Sequence, residues 1–217
     1  MYIKVNGVKL FYEVKGSGRD LILVHGNGEN HHIFDWLVDV LKDNFKCYCI
    51  DSRGHGQSSK VNEYNYHVMA NDVIALIEEL GLQEVAYYGF SDGGIIGLIV
   101  ASQTNLIKDL IISGANLNPN GLKNNVYLMM KLEYFFKRDP KVKLMLTQPN
   151  ITHDDLAKIK ARTLVLAGSN DVVKEKHTIE IVNYLSNSEL MILSGENHSS
   201  YVIDSTKLAP IILGYLK

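Results

Sequence analysis

Residues 21–24 form an uninterrupted aliphatic run, Leu-Ile-Leu-Val, which ends at His25-Gly26. A strand with no polar alternation is buried on both faces, as in a parallel sheet covered by helices. Similar short apolar runs recur at residues 47–50, 85–88, 109–112, 163–167 and 190–193. Segments with apolar residues at helical spacing separate several of these runs. This alternation predicts an α/β fold with a mainly parallel sheet and helices on both of its faces.

The N-terminal residues predict an antiparallel hairpin in front of that sheet. Strands are predicted at Tyr2–Val5 and at residues 10–14, joined by Asn6-Gly7. Asn-Gly favours a type I′ turn because both residues tolerate a positive φ. Helices are predicted near residues 33–41, 68–80, 93–101 and 208–216.

Residues 115–160 interrupt the alternation. They contain no good strand, but aromatic residues and methionines crowd together at residues 127–136. Linkers are poor in aromatic residues, so a short helical cap is predicted here, inserted between two core strands of a single domain that spans residues 1–217. Its apolar side chains could surround a substrate group or only bury the cap against the body. The basic residues of this stretch are interpreted as a solvated face: Lys123, Lys131, Lys137 and Arg138.

Composition and charge argue against several classes of function. The chain has 217 residues, 46% of them hydrophobic, and 22 Lys+Arg against 24 Asp+Glu. This balance gives no reason to expect nucleic acid or a membrane as a partner. No apolar run approaches the ~20 residues of a membrane span, and the N-terminus lacks a signal-peptide pattern, so a cytoplasmic location is expected. Cys47 and Cys49 would share one face of a strand as reduced packing residues, and neither a metal site nor a cofactor is expected.

The segment Gly89-Phe90-Ser91-Asp92-Gly93 fits the pattern G-x-S-x-G between a predicted strand and a predicted helix. A nucleophilic serine on a sharp strand-to-helix turn needs neighbours without bulk two residues away, and Gly89 and Gly93 satisfy this demand. The helix that follows directs its positive end to the place where an oxyanion would form. Short Gly/Ser patterns often arise by chance, so the five residues alone are weak evidence. The predicted strand before them and the predicted helix after them support the interpretation of Ser91 as a nucleophile.

With these features the chain resembles the α/β-hydrolase superfamily, in particular its small esterases and perhydrolase-like members. The resemblance includes Leu23-Val24-His25-Gly26-Asn27-Gly28, which is similar to the His-Gly loop of the family. It implies that the backbone N–H groups of Asn27 and Asp92, and not their side chains, form an oxyanion hole. His25 precedes the nucleophile and is interpreted as bracing the loop.

A further motif, residues 51–58, resembles the D-x-R-G-x-G-x-S turn of the same family. The motif is interpreted as structural, with Asp51 and Arg53 pairing across the turn while glycines supply unusual φ angles. It lacks the Gly-Lys-Ser/Thr of a P-loop, and its glycine spacing is not that of a dinucleotide-binding loop.

The resemblance also implies an acid and a base. Asp171 ends a Gly-Ser-Asn-Asp turn after the predicted strand at residues 163–167, and His198 follows the strand at residues 190–193. His198 would take the proton of Ser91, and Asp171 would fix the tautomer of the imidazole. Turn aspartates are common, so three alternatives to Asp171 stay open: Asp51, Asp92 and Asp204. His31 and His32 are expected at the mouth of the site.

The implied activity is that of a serine hydrolase, which cleaves carboxylic esters of small to medium acyl groups through an acyl-enzyme without a cofactor. A serine nucleophile argues against the dehalogenase and epoxide hydrolase relatives, which use a carboxylate. A thioesterase, C–C bond hydrolase, lactonase or perhydrolase would have nearly the same sequence, and so would a slow ligand-binding receptor. The expected partner is a small ester-like molecule, and the protein is expected to be a monomer or homodimer.

Overall fold

The computed structural model describes all residues, Met1–Lys217, and centres on one eight-stranded sheet. The strands are β1 (Tyr2–Val5), β2 (Val8–Lys15), β3 (Arg19–Val24), β4 (Phe45–Ile50), β5 (Val85–Phe90), β6 (Ile107–Ser113), β7 (Arg162–Asn170) and β8 (Ser188–Asn197). Their order is β1-β2-β4-β3-β5-β6-β7-β8. Only the β1–β2 and β2–β4 pairings are antiparallel. The predicted α/β fold with a mostly parallel sheet is confirmed.

Helices cover both faces of the sheet. They are α1 (Asp35–Leu41), α2 (Tyr66–Glu79), α3 (Asp92–Gln103), α4 (Asn124–Lys137), α5 (Pro140–Thr147), α6 (His153–Ala157), α7 (Glu175–Tyr184) and α8 (Ala209–Tyr215). A core cluster of 34 buried residues lies on the α2 and α3 side, and a second cluster of 22 lies on the α1 and α8 side. Cys47 and Cys49 are free and buried in the second cluster, on one face of β4. None of the helices combines the length and the apolar character needed to cross a bilayer.

The predicted N-terminal hairpin is present, and its second strand starts two residues earlier than expected. Asn6 and Gly7 have φ angles of 46° and 77°, the positive values that their turn requires. Strand β2 then pairs with β1 on one side and β4 on the other. The two added residues, Val8 and Lys9, pair with β1, and Lys15 at the other end of β2 pairs with β4. A pattern of local alternation does not report these pairings.

The turn at residues 51–58 is structural, but its predicted internal ion pair is absent. The carboxylate of Asp51 accepts hydrogen bonds from the backbone N–H groups of His31 and Gln57. It fills the space beside Gly56, where a Cβ would lie 2.0 Å from an Asp51 oxygen. Arg53 instead forms two 2.6 Å hydrogen bonds with Asp72 on α2. The prediction was wrong because Asp51 turns inward to close its own loop while Arg53 joins the loop to a helix.

The segment between β6 and β7 holds α4, α5 and α6, and it contains the predicted cap residues 115–160. Helix α4 has no buried residue. Five of its apolar side chains are more than half exposed: Leu128, Met129, Leu132, Phe135 and Phe136. These five side chains are therefore not buried against the body of the protein.

Candidate active site

Ser91 occupies a sharp turn between β5 and α3. Its φ of 53° and ψ of −114° are values that a non-glycine residue adopts only under constraint. A Cβ on Gly89 would lie 2.2 Å from the Gly93 carbonyl oxygen, and a Cβ on Gly93 would lie 2.0 Å from the Val24 carbonyl oxygen. Both glycines of the G-x-S-x-G segment are therefore required by close backbone contacts.

His198 and Asp171 lie beside Ser91. His198 Nε2 is 3.1 Å from Ser91 Oγ, and His198 Nδ1 is 2.7 Å from Asp171 Oδ1. With the Nδ1 proton directed to Asp171, Nε2 is free to accept the hydroxyl proton of Ser91. The structure thus brings together three residues that the sequence separates by 107 and 27 positions.

The carboxylate of Asp171 is buried and held by several donors. The Val173 backbone N–H donates to Oδ1 at 3.0 Å, and the Gly168 N–H lies 3.4 Å from Oδ2. Burial raises the pKa of Asp171, but the hydrogen bonds and charge of His198 outweigh burial and leave the pKa below its usual range. Asp171 therefore stays ionised, as a group that orients and stabilises an imidazolium must.

None of the three alternative acids is hydrogen-bonded to His198. Asp51 is engaged by His31 and Gln57, while Asp92 accepts from Tyr66 Oη at 2.7 Å and Asn27 Nδ2 at 2.8 Å. Asp204 is exposed. Asp171 is thus the carboxylate that contacts His198.

The Asn27 side chain joins the loop after β3 to the start of α3. Its amide donates to Asp92, the residue directly after Ser91. Burial raises the pKa of Asp92, although the bonds from Tyr66 and Asn27 oppose this rise. No role is predicted for the Asn27 side chain from the sequence. In the structure this side chain joins the two segments whose backbone N–H groups are the candidate oxyanion donors.

A cavity of about 310 Å³ opens beside Ser91 and His198. Its apolar wall includes Leu122, Val126 and Met130, together with Met145 of α5. Asn116 and Gln148 add polar groups, and the lining contains neither lysine nor arginine. No group of three or more His, Cys, Asp or Glu side chains is placed to hold a metal ion.

Comparisons with known proteins agree with this architecture. A family model described as alpha/beta hydrolase fold matches residues 21–166. The chain belongs to the alpha/beta hydrolase fold family. The match begins within β3, ends within β7 and includes the Ser91 turn.

Among curated relatives, the AB hydrolase superfamily protein YisY of Bacillus subtilis is 42% identical over 100 residues, which are 45% of this chain and 37% of YisY. The pimeloyl-[acyl-carrier protein] methyl ester esterase of Aliivibrio salmonicida is 30% identical over 87 residues, 40% of this chain and 32% of the esterase. The chain therefore matches only about a third of the length of these relatives.

Solved structures show the same fold over the whole chain. The enol-lactonase from Burkholderia xenovorans LB400 has a TM-score of 0.82 at 17% identity, covering 100% of this chain and 99% of its own. The bromoperoxidase from Bacillus anthracis has a TM-score of 0.85 at 21% identity, covering 96% and 95%. At sequence identities of 17% and 21%, the structural similarity shows a shared fold and nothing about activity.

In this α/β hydrolase, His25 braces the loop that precedes Asn27. Its Nδ1 lies 2.7 Å from the Gly26 carbonyl oxygen, and its Nε2 accepts from the Ser52 backbone N–H at 3.1 Å. These contacts require the neutral ring. Burial lowers the pKa of His25 to about 4, so the ring is uncharged at neutral pH.

His31 and His32 do not line the cavity of this α/β hydrolase. They lie in a 3-10 helix, His31–Phe34, which precedes α1 and replaces the start of the predicted helix at residues 33–41. The His31 ring is buried, and its Nδ1 is hydrogen-bonded to the Asp51 carboxylate. The His32 ring is exposed and is hydrogen-bonded to the Asp35 carboxylate. The expectation that both histidines lie at the site mouth was wrong, because each has a carboxylate partner outside the cavity.

Glu29, for which no role is predicted from the sequence, also lines the cavity. Its Oε2 accepts a 2.9 Å hydrogen bond from the Gly26 backbone N–H. Burial raises the pKa of Glu29 to about 7, against the opposing effects of the Gly26 hydrogen bond and the charge of His198. The signal that could have indicated a place in the site is the position of Glu29 in the His-Gly loop, two residues after Asn27.

Proposed function

We propose that this α/β hydrolase is a serine hydrolase that cleaves carboxylic esters of small to medium acyl groups. The observation that carries the proposal is the continuous chain of contacts Asp171–His198–Ser91, at 2.7 and 3.1 Å. A serine whose hydroxyl faces an imidazole, itself oriented by an ionised carboxylate, is an activated nucleophile. These three residues are the proposed catalytic residues.

The reaction proceeds in two halves. Ser91 Oγ attacks the ester carbonyl while His198 Nε2 takes its proton, and His198 returns that proton to the departing alkoxide. Water then attacks the acyl-enzyme with His198 as base, which releases the acid and restores Ser91. Asp171 stabilises the imidazolium in both halves.

The oxyanion of each tetrahedral intermediate would be held by the backbone N–H groups of Asn27 and Asp92. The hydrogen bond from Asn27 Nδ2 to Asp92 keeps the two segments together. The N-terminus of α3 begins at Asp92 and adds its positive end. Donors fixed before the reaction need no reorganisation when the charge forms.

The cavity supports the proposed size and polarity of the substrate. A volume of about 310 Å³ with an apolar wall suits a small to medium acyl or alcohol group. Val126 and Met130 from α4 and Met145 from α5 contribute to that wall, which supports the proposal that residues 115–160 act as a cap. The name of the Aliivibrio relative, a methyl ester esterase, agrees with ester chemistry.

A covalent probe tests the proposal directly. A fluorophosphonate should add to the intact protein once, and the adduct should be absent from Ser91→Ala and His198→Ala. Ser102→Ala, which changes a serine further along α3, is the matched control and should be labelled normally. Labelling of Ser91→Ala at the wild-type rate would contradict the proposal.

Turnover of 4-nitrophenyl butyrate separates the ester assignment from its alternatives. Hydrolysis that depends on Ser91 supports an esterase. Labelling at Ser91 without ester turnover, but with hydrolysis of a butyryl thioester or a lactone, would assign the triad to that chemistry. Labelling without turnover of any of these would indicate a slow receptor.

A further inference from the structure

Glu29 and Ser91 border the same small space. A Cβ built on Gly26 would lie 2.8 Å from Glu29 Oε2 and 3.1 Å from Ser91 Cβ. The glycine therefore allows the carboxylate and the nucleophile to approach from two sides. The mechanism proposed above uses Ser91 but gives no role to this half-buried carboxyl group.

The groups that surround Glu29 do not neutralise it with a fixed cation. The charged or titratable groups that act on it are His198 and Asp92. The buried Tyr88, whose hydroxyl is hydrogen-bonded to Ser113 Oγ, also interacts electrostatically with Glu29. The hydrogen bond at its Oε2 comes from a neutral backbone N–H. Since no lysine or arginine lines the cavity, an ionised Glu29 gives the cavity a negative potential.

A carboxylate group in the cavity would meet Glu29 and Asp92 without a cation to hold it, and it would lose its water on entry. A quaternary ammonium group of the same shape would instead be attracted by Glu29. An uncharged group would experience neither effect.

We propose that Glu29 determines specificity by selecting esters whose acyl part is cationic or uncharged and by rejecting esters whose acyl part carries a carboxylate. The proposal rests on the proposed function for its kinetic readout. It concerns binding in the cavity, however, and can be measured without turnover.

The selection depends on pH. Because burial raises the pKa of Glu29 to about 7, the carboxyl is mostly neutral at pH 6 and mostly ionised at pH 8. Preference for a cationic over an anionic ester should therefore increase across this interval. The ratio of kcat/KM for two such esters removes the pH effects that are common to both reactions, because both need the same catalytic groups.

Three 4-nitrophenyl esters with the same three-methylene chain provide the test. Their acyl groups end in a trimethylammonium group, a tert-butyl group or a carboxylate: 4-(trimethylammonio)butanoate, 5,5-dimethylhexanoate and hydrogen glutarate. Wild type should favour them in that order. Glu29→Gln retains an acceptor for the Gly26 N–H but removes the charge, and it should reduce the cation-to-anion ratio of kcat/KM by about tenfold at pH 8.

A matched charge control and a binding measurement separate the effect of Glu29 from a general charge effect and from turnover. Glu78→Gln removes the same charge from the exposed face of α2 and should leave the ratio unchanged. Binding of the three corresponding 4-nitroanilides to Ser91→Ala, measured by calorimetry, should follow the same order and lose it in Ser91→Ala/Glu29→Gln. That result supports the role of Glu29 even where Ser91 proves not to be a nucleophile.

Three outcomes overturn the proposal. The first is the same order and ratio in Glu29→Gln as in wild type. The second is a ratio that does not change between pH 6 and pH 8. The third is failure of all three anilides to bind Ser91→Ala.

Discussion

Tyr66 Oη donates a 2.7 Å hydrogen bond to Oδ1 of Asp92, the residue that follows the candidate nucleophile. Both residues are buried, and the bond joins the first residue of α2 to the first residue of α3. The other carboxylate oxygen of Asp92 accepts from Asn27. The start of α3 is therefore positioned by two neighbouring segments as well as by its own turn.

Tyr66→Phe should destabilise the protein, because it leaves a buried carboxylate oxygen without its donor. The free energy of unfolding should fall by about 1–3 kcal/mol, measured by urea denaturation. Tyr184→Phe, which removes a hydroxyl from a half-exposed ring, should have an effect below about 0.5 kcal/mol. Equal effects of the two changes would contradict a structural role for the Tyr66–Asp92 bond.

Asp171→Asn should abolish most activity and leave the fold intact. The asparagine NH2 can donate to His198 Nδ1, which favours the tautomer with the proton on Nε2, and the neutral amide cannot stabilise an imidazolium. We therefore expect kcat to fall by about 10⁴-fold. The thermal midpoint checks that the variant is folded. Asp154→Asn, an exposed position on α6, should retain full activity. Near-normal turnover by Asp171→Asn would mean that another group serves as the acid.

Gly93→Ala should be more harmful than Gly214→Ala, although both glycines lie in helices. A Cβ at Gly93 would lie 2.0 Å from the Val24 carbonyl oxygen, whereas a Cβ at Gly214 meets nothing within 4 Å. We expect Gly93→Ala to cost about 1–3 kcal/mol or more because α3 must move away from β3. Gly214→Ala should be neutral or stabilise by up to about 1 kcal/mol. Chemical denaturation of the pair measures the difference.

The stability of the protein should fall as the pH decreases from 6.5 to 4. Burial lowers the pKa of His55 from 6.5 to about 4, so the unfolded chain takes up a proton in this interval while the folded protein does not. Stability from the neutral ring is complete above pH 6.5 and is lost toward the folded pKa, by about 3 kcal/mol at pH 4. Glu29, whose pKa is raised to about 7, acts in the opposite direction, since it weakens the fold as the pH increases from 4.5 to 7. The net fall remains because burial also lowers the pKa of His25 to about 4, which adds a second loss in the same direction as that of His55.

The difference between wild type and His55→Asn isolates the contribution of His55. Asparagine retains a donor for the Arg53 carbonyl oxygen, to which His55 Nδ1 is 3.0 Å distant, but cannot be protonated. The variant should therefore show a shallower loss of stability below pH 6.5. His67→Asn, an exposed position, should keep the wild-type pH dependence. Identical slopes for His55→Asn and wild type would contradict the assignment.

Much of the fold could be predicted because its signals are local. Buried aliphatic runs such as residues 21–24 indicate parallel strands wherever they occur, and Asn6-Gly7 specifies a turn through its own φ angles. The Ser91 turn was recognisable from its two glycines, which lie two residues before and after the serine, although the contact that requires Gly93 is with Val24 on β3. The structure also brings Asp171 and His198 to that turn, as the resemblance implied.

The remaining features depend on partners that are distant in sequence. Arg53 has an acidic neighbour two positions away, but its guanidinium reaches Asp72 on another element. His31 and His32 follow the oxyanion loop in sequence, yet each is turned aside by a carboxylate. Glu29 resembles any loop glutamate until the fold shows that it lies beside Ser91 and lacks a cationic partner. Tertiary packing determines which partner each of these side chains contacts, and a single sequence contains no direct signal of that packing.

Strand β8 ends the sheet and pairs only with β7, and most of its side chains are at least partly exposed. His198 is the first residue after this strand. A partial opening confined to β8 would therefore carry the imidazole away while β5, Ser91 and α3 remained folded. Such openings cost less free energy than global unfolding, and amide hydrogen exchange measures them residue by residue. Such an opening would lower the fraction of molecules in which His198 lies beside Ser91. The proposed activity should therefore be lost on warming at a lower temperature than that of global unfolding.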